Sequence, residues 1–142
     1  MRWTLLLLSL IAAAASGAAA PDTEPGSGNY LLFGKWTWTR TVNNCTEIYE
    51  YRPDGTMHVV SGAERSDNTY RLSPKPSGTG FYRFTATTVK DYGGKDCGDS
   101  SDDGTGSTYS AFIMFNPSGD GHIVCQQENF DNCFGPLRRL SD

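Results

Sequence analysis

The chain has 142 residues, with 12 Lys and Arg against 16 Asp and Glu, which gives a formal net charge of −4 at pH 7. An acidic chain of this kind lacks the basic face that binding to nucleic acid or to anionic lipid requires, so we expect neither partner. The length predicts one domain, and a 12% aromatic content favours a modest core built around large rings.

The first segment of the chain has the features of a secretory signal peptide. Arg2 precedes an apolar run over residues 5–11, and an alanine-rich stretch ends at Ala20. This pattern is too short for a spanning helix and is typical of a cleaved leader. We therefore interpret residues 1–20 as a signal peptide.

We expect cleavage near residues 18–20, and before Ala20, because Pro21 fits a signal peptidase poorly. Removing the leader takes away Arg2 and leaves 11 basic residues against 16 acidic ones, for a net charge of about −5. Residues 21–29 are rich in proline, glycine and serine and predict a flexible linker, followed by a domain over residues 30–142. No later apolar run reaches spanning length, so we expect a secreted or periplasmic protein without membrane insertion.

Four cysteines lie in the predicted mature chain, at Cys45, Cys97, Cys125 and Cys133. An even number of cysteines in an exported chain predicts two disulfides. A zinc site is the competing interpretation, but no Cys-x-x-Cys pair is present to support it.

Beyond the linker, the chain consists of short runs rich in aromatic and β-branched residues, separated by clusters of turn residues. Within the runs, apolar and polar residues alternate with period 2, which predicts strands rather than helices. Arg52-Pro53-Asp54-Gly55 is strong turn chemistry between two of them. The predicted strands cover residues 33–41, 46–51, 56–61, 69–72, 80–91, 107–116, 122–127 and 133–140. Eight consecutive strands favour an antiparallel up-and-down β-barrel, with a two-sheet β-sandwich as the alternative.

The first strand begins with Gly34-Lys35-Trp36. This Gly-x-Trp resembles the motif of the calycin superfamily, which contains the lipocalins and small bacterial lipocalin-like proteins. The resemblance implies that Trp36 plugs one end of the barrel and that an arginine of the last strand, Arg138 or Arg139, packs across it. The chain also resembles small exported bacterial proteins that end in Cys-Phe-Gly-Pro-Leu, here Cys133 to Leu137, which implies no particular activity.

An up-and-down barrel would place all four cysteines at the same end. Strand eight lies beside strand one, and strand seven beside strand six, so we predict the bridges Cys45–Cys133 and Cys97–Cys125. Adjacent strands bring Cα atoms within the distance of about 7 Å that a bridge needs more readily than opposite strands do. The rival pairing is Cys45–Cys97 with Cys125–Cys133.

A long acidic loop partly matches a calcium-binding pattern. Asp99, Ser101, Asp103 and Gly104 occupy positions one, three, five and six of such a loop. Position twelve is Ser110 rather than a bidentate glutamate, so we expect a solvated loop and no metal.

Candidate catalytic residues are few. His58 and His122 are the only histidines, and no serine lies in a recognised nucleophile motif. Asp54 and Glu64 form a conceivable carboxylate pair whose separation the sequence does not fix. We therefore expect no enzyme activity and no cofactor.

Two functions fit these observations. In the first, the barrel encloses a small apolar molecule, and the predicted lining is Trp38, Tyr49, Tyr51, Phe84, Phe112 and Met114, or their neighbours of opposite orientation. In the second, disulfide-held loops bind another protein, for instance as an inhibitor of an exported hydrolase. An internal apolar cavity larger than about 300 Å³ would favour ligand binding, and a filled core would favour the interaction protein.

Overall fold

A computed structural model describes residues 29–141. The predicted signal peptide, and the linker up to residue 28, lie outside the described residues. The structure has a short 3₁₀ turn, Asn29–Leu31, followed by eight strands. These are β1 Gly34–Thr39, β2 Thr46–Tyr51, β3 Thr56–Ser61, β4 Glu64–Leu72, β5 Tyr82–Asp91, β6 Thr108–Phe115, β7 Gly121–Cys125 and β8 Cys133–Arg139.

The strands form one closed antiparallel barrel in which each strand pairs with the next and β8 returns to β1. The predicted barrel is therefore confirmed, and the β-sandwich alternative is wrong because all eight strands of residues 29–141 close into a single sheet. Within residues 29–141, no helix is long and apolar enough to cross a membrane.

The alternating strand directions define two ends of the barrel. The connections β1–β2, β3–β4, β5–β6 and β7–β8 lie at one end, which we call the loop end. The chain enters the barrel at the opposite end, which we call the tryptophan end because Trp36 lies there near the start of β1.

One strand is much longer than its predicted counterpart. β4 begins at Glu64 rather than at Thr69, and its inward positions include the buried polar side chains Ser66 and Asn68. Period-2 prediction relies on apolar inward residues, so a strand that turns polar side chains inward does not stand out in the sequence.

Trp36 closes the tryptophan end of the barrel. Its side chain is fully buried, and its indole N–H donates to the carbonyl of Leu32 at 2.8 Å. Of the two candidate arginines, Arg139 packs over the indole, with its guanidinium carbon 4.2 Å from the ring centroid. Arg139 also donates to the carbonyl oxygens of Leu31, at 2.7 Å, and of Phe33, so it joins the entering chain to the last strand.

Gly34 permits this close approach. Its φ of +107° is one that residues with a side chain rarely adopt, and a Cβ at this position would lie 3.2 Å from Nη1 of Arg139. Arg138 instead lies beside Gly121, and the contact with Trp36 is made by Arg139. The Gly34-x-Trp36 sequence and Arg139 therefore act as one structural unit.

Two disulfides are present, as predicted, but the predicted pairing is wrong. The bridges are Cys45–Cys97, with Cα atoms 5.5 Å apart, and Cys125–Cys133, with Cα atoms 4.0 Å apart. The strand order on which the prediction relied is nevertheless correct. The error therefore arises from the connections and not from the topology.

The β5–β6 connection is long enough to cross the loop end, so strand adjacency does not decide which cysteine Cys97 meets. It lies on the β3–β4 turn, where the N–H of Ala63 donates to the carbonyl of Lys95 at 2.9 Å. The N–H of Cys97 donates to Oγ of Ser61 at 3.0 Å. A Cβ on Gly94 would lie only 2.4 Å from the carbonyl oxygen of Ala63, so this contact is close along its length. Cys97 is thereby brought to the β1–β2 connection.

The second bridge joins directly opposed residues of the β7–β8 hairpin. Val124 faces the barrel interior, so the next residue, Cys125, points to the outer face. The β7–β8 connection then folds toward the β4–β5 connection, where the rings of Phe130 and Phe81 lie 5.7 Å apart. Cys125 ends β7 and Cys133 begins β8, so all four cysteines lie toward the loop end, as expected, but this pair is on the outer face of the barrel.

We expect the two bridges to contribute unequally to stability. In the chain-entropy description, a bridge with a sequence separation of 52 contributes about 4 kcal/mol and one with a separation of 8 about 2.5 kcal/mol. The Cys45→Ser/Cys97→Ser variant should thus be less stable than Cys125→Ser/Cys133→Ser by about 1.5 kcal/mol in urea unfolding. A thiol assay under denaturing conditions should detect no free thiol in either variant. Two free thiols would show that each substitution broke both bridges, which would contradict this pairing.

Candidate functional site in the barrel interior

The barrel interior holds a cavity of about 460 Å³, whose lining reaches the loop end at Arg40 and Glu47. Its volume lies within the range of roughly 300–1,000 Å³ that is usual for small-molecule sites. The apolar part of its wall comes from seven of the eight strands and includes Tyr51, Met57, Phe84, Ile113, Val124 and Leu137. The interior is therefore not filled by its own side chains.

Four of the six residues predicted to line the interior do so: Trp38, Tyr49, Tyr51 and Phe84. Phe112 and Met114 do not, because Ala111 and Ile113 are the buried, inward residues of β6. Phe112 instead lies on the outer face, where the guanidinium of Arg83 is 6.0 Å from its ring centroid.

One wall of the cavity is polar. Ser66 and Asn68 of β4 and Thr88 of β5 line it as neighbours across the strand pair. The hydroxyl of Thr88 donates to Oδ1 of Asn68 at 2.9 Å, and Nδ2 of Asn68 donates to Oγ of Ser66 at 3.0 Å. The sequence contains a signal for this wall, since Arg65, Asp67 and Arg71 alternate with the inward residues. Charges at every second position mark an outer face, so the residues between them face inward.

The rim of the cavity at the loop end carries charge of both signs. Glu47 accepts hydrogen bonds from the hydroxyls of Tyr49 and Ser61, the latter at 3.0 Å. Arg40 donates to the carbonyl oxygen of Cys97 at 2.7 Å, and this contact ties the rim to the first disulfide. Trp38 and Phe134 complete the rim, with ring centroids 4.9 Å apart.

The electrostatics of the interior favour neutral groups. Burial raises the pKa of the Tyr49 phenol, and the neighbouring Glu47 carboxylate raises it further. Burial also raises the pKa values of Tyr51 and Tyr109. These hydroxyls therefore stay protonated at physiological pH, and the Tyr49 hydroxyl already donates its hydrogen to Glu47.

The two histidines lie apart from the cavity and from each other. His122 is buried near the tryptophan end, with its ring centroid 4.4 Å from that of Trp36 in an edge-on arrangement. Neither ring nitrogen has a hydrogen-bond partner within the described part of the chain, and burial lowers the pKa of His122 to about 3, with Arg139 adding to the effect. His58 lies on the outer face, where Nδ1 is 2.8 Å from Oδ1 of Asp67.

Carboxylates of the acidic loop accept hydrogen bonds from backbone N–H groups of the same loop. Oδ1 of Asp96 accepts from the N–H groups of Gly98 and Ser100, both at 2.8 Å. Oδ1 of Asp103 accepts from the N–H of Thr105 at 2.9 Å. Over residues 29–141, no three His, Cys, Asp or Glu side chains are grouped as a metal site would require.

Asp54 and Glu64 do not form a carboxylate pair. Asp54 lies in the β2–β3 turn at the tryptophan end, and Glu64 begins β4 at the loop end, so the length of β3 separates them. Asp54 binds its own turn, accepting from the hydroxyl of Thr56 at 2.6 Å, and this hydrogen bond lowers the pKa of Asp54. The structure therefore gives these residues no joint role in catalysis.

No protein-family model, curated protein or solved structure matches this chain.

Proposed function

We propose that this chain is an exported, non-enzymatic, lipocalin-like barrel, secreted or periplasmic, that binds one small and mainly apolar molecule in its interior. The observation that carries the proposal is the cavity of about 460 Å³. A closed barrel of eight strands is often filled by its own side chains, and this one keeps a space large enough for a ligand.

Two further features support the family and the compartment. The buried Trp36 under Arg139 at the start of the first strand is the arrangement that the calycin resemblance implies. Two disulfides suit a protein of an oxidising compartment outside the cytoplasm.

The positions of the histidines support a binding role over a catalytic one. His58 lies on the outer face beside Asp67, and His122 is packed against Trp36, so neither lines the cavity. The polar side chains that do line it are mostly hydroxyl, amide and phenol groups, which orient a ligand more readily than they activate one.

A second candidate function is protein binding through the disulfide-held connections. Val42, beside Cys45, is 82% exposed, and Phe130, between Cys125 and Cys133, is 71% exposed. Each connection thus presents one large apolar side chain on a cross-linked backbone, which a rigid inhibitor of an exported hydrolase would need.

Ligand binding is tested by titrating the protein with N-phenyl-1-naphthylamine, an uncharged fluorescent probe. We expect saturable binding of one probe per chain. Replacing Ala86, which lines the cavity, with phenylalanine should weaken this binding about tenfold or more, because the added ring occupies the ligand space. Fluorescence titration gives the dissociation constant for each variant.

The matched control is Val89→Phe, on the same strand. Val89 is 58% exposed and does not line the cavity, so this variant should bind the probe like the unsubstituted protein. Absence of probe binding, or equal binding by Ala86→Phe, would contradict the proposal and leave protein binding as the better candidate.

A further inference from the structure

The hydrogen bonds along the polar wall of the cavity all run in one direction, and they leave one hydroxyl hydrogen without an acceptor. Nδ2 of Asn68 is turned toward the carbonyl oxygen of Met57, at 3.5 Å, and this backbone group can only accept. The amide orientation makes Oδ1 the acceptor for Thr88 and Nδ2 the donor to Ser66. Hydrogen bonds therefore run from Thr88 through Asn68 to Ser66. The hydroxyl proton of Ser66 has no acceptor among residues 29–141.

Tyr51 supplies a second free donor. Its ring is nearly buried and lines the cavity, yet its hydroxyl has no hydrogen-bond partner in the described part of the chain. Tyr49 and Tyr70 differ, since Tyr49 donates to Glu47 and Tyr70 donates to the carbonyl oxygen of Arg52 at 2.9 Å. Tyr109 also lines the cavity, but it is 46% exposed, so its hydroxyl is less desolvated than that of Tyr51. Because burial keeps the Tyr51 phenol protonated, its hydroxyl keeps a hydrogen that it can donate to a ligand.

We propose that the cavity selects an uncharged ligand with an apolar body and an oxygen acceptor, such as a ketone or an ester, and that Ser66 and Tyr51 donate to this oxygen. The inference rests on the proposed ligand-binding function and adds the chemical class of the ligand. Binding of a hydrocarbon is disfavoured because it would remove the two donors from water without giving them an acceptor, and a desolvated donor without a partner costs free energy.

A charged ligand is disfavoured for a separate reason. Placing a carboxylate in the interior removes it from water, and among residues 29–141 no cation lies in the wall around Ser66 and Tyr51 to compensate. The rim carries both Arg40 and Glu47, so it provides no net attraction for an anion.

The test uses three probes of matched shape: 2-acetylnaphthalene, its hydrocarbon isostere 2-isopropenylnaphthalene, and 2-naphthoate. Isothermal titration calorimetry is run on the unsubstituted protein and on Tyr51→Phe and Ser66→Ala. We expect each variant to bind the ketone about fivefold more weakly and the hydrocarbon within about twofold of its original affinity. The matched controls, Tyr92→Phe and Ser110→Ala, change exposed residues away from the cavity and should leave all three affinities unchanged.

A readout on the unsubstituted protein covers the case in which Ser66→Ala fails to fold. The carbonyl carbon of ¹³C-labelled 2-acetylnaphthalene should resonate downfield, when bound, of its position in cyclohexane, because the oxygen accepts hydrogen bonds. Three results would overturn the inference and leave the proposed function standing: ketone affinity unchanged in both variants, a carbonyl resonance as in cyclohexane, or naphthoate binding as tightly as the ketone. Failure of every probe, N-phenyl-1-naphthylamine included, would overturn both.

Discussion

Replacing Trp36 with alanine should lower the free energy of unfolding by about 3–5 kcal/mol, as expected for deletion of a large buried aromatic side chain. The indole is fully buried, and it contacts His122 and Phe115 as well as the Arg139 guanidinium above it. Its N–H donates to the carbonyl oxygen of Leu32, so the substitution also leaves a buried acceptor without its partner. Urea unfolding followed by circular dichroism measures the change.

The control for this substitution is Tyr30→Ala at the same end of the barrel. Tyr30 is 65% exposed, so its removal should change stability by less than about 1 kcal/mol. A loss below about 1 kcal/mol for Trp36→Ala would mean that the ring is exposed. The closed tryptophan end and the calycin resemblance would then both be wrong.

The buried His122 should make the protein less stable as the pH falls. Its pKa is 6.5 in the unfolded chain and about 3 in the folded one, so the unfolded state takes up the proton first. Stability is therefore constant above about pH 6.5 and declines below it, by about 2 kcal/mol at pH 5 and by about 4–5 kcal/mol once the pH reaches 3.

Unfolding in urea at pH 7 and pH 5 measures this effect, because carboxylates such as Asp67 and Asp120, whose folded pKa values are lowered, act at more acidic pH. Burial raises the folded pKa of Glu64, which therefore adds stability as the pH falls and opposes the decline. His122→Phe removes the titrating group and should flatten the dependence between these two values. His58→Gln, on the outer face, should leave the decline intact. An unchanged decline in His122→Phe would show that His122 is not the group responsible.

The architecture could be predicted from the sequence because turn residues and period-2 alternation mark most of the strands and their ends clearly. The Pro53-Asp54-Gly55 turn lies between two strands whose ends the structure places where they were predicted. The Gly34-x-Trp36 motif identified the tryptophan that closes the barrel, although the choice between Arg138 and Arg139 needed the structure.

The interior was harder to predict, for two physical reasons. Residues 111–115 of β6 are all apolar, so alternation does not show which set faces inward, and the prediction that the larger side chains, Phe112 and Met114, line the cavity is wrong. The inward face of β4 is partly polar, so Ser66 and Asn68 were not recognised as lining residues.

The disulfide pairing shows the limit of reasoning from strand neighbours. Adjacency constrains cysteines on strands, but Cys97 lies in a connection that runs from Asp91 to Thr108 and crosses the barrel end. A segment of that length can reach any other connection at the same end, and contacts with Ser61 and Ala63 decide which one it meets. No pattern in the sequence encodes those contacts.

The proposed function requires that a small apolar molecule binds inside the barrel. The most direct test is a nuclear Overhauser measurement on labelled protein saturated with N-phenyl-1-naphthylamine. Cross-peaks are expected between the probe and the methyl groups of Met57, Ile113 and Val124, which line the cavity, and not with those of the exposed Val42 and Val89. Cross-peaks to Val42 or Val89 without any to the interior methyl groups would contradict the account.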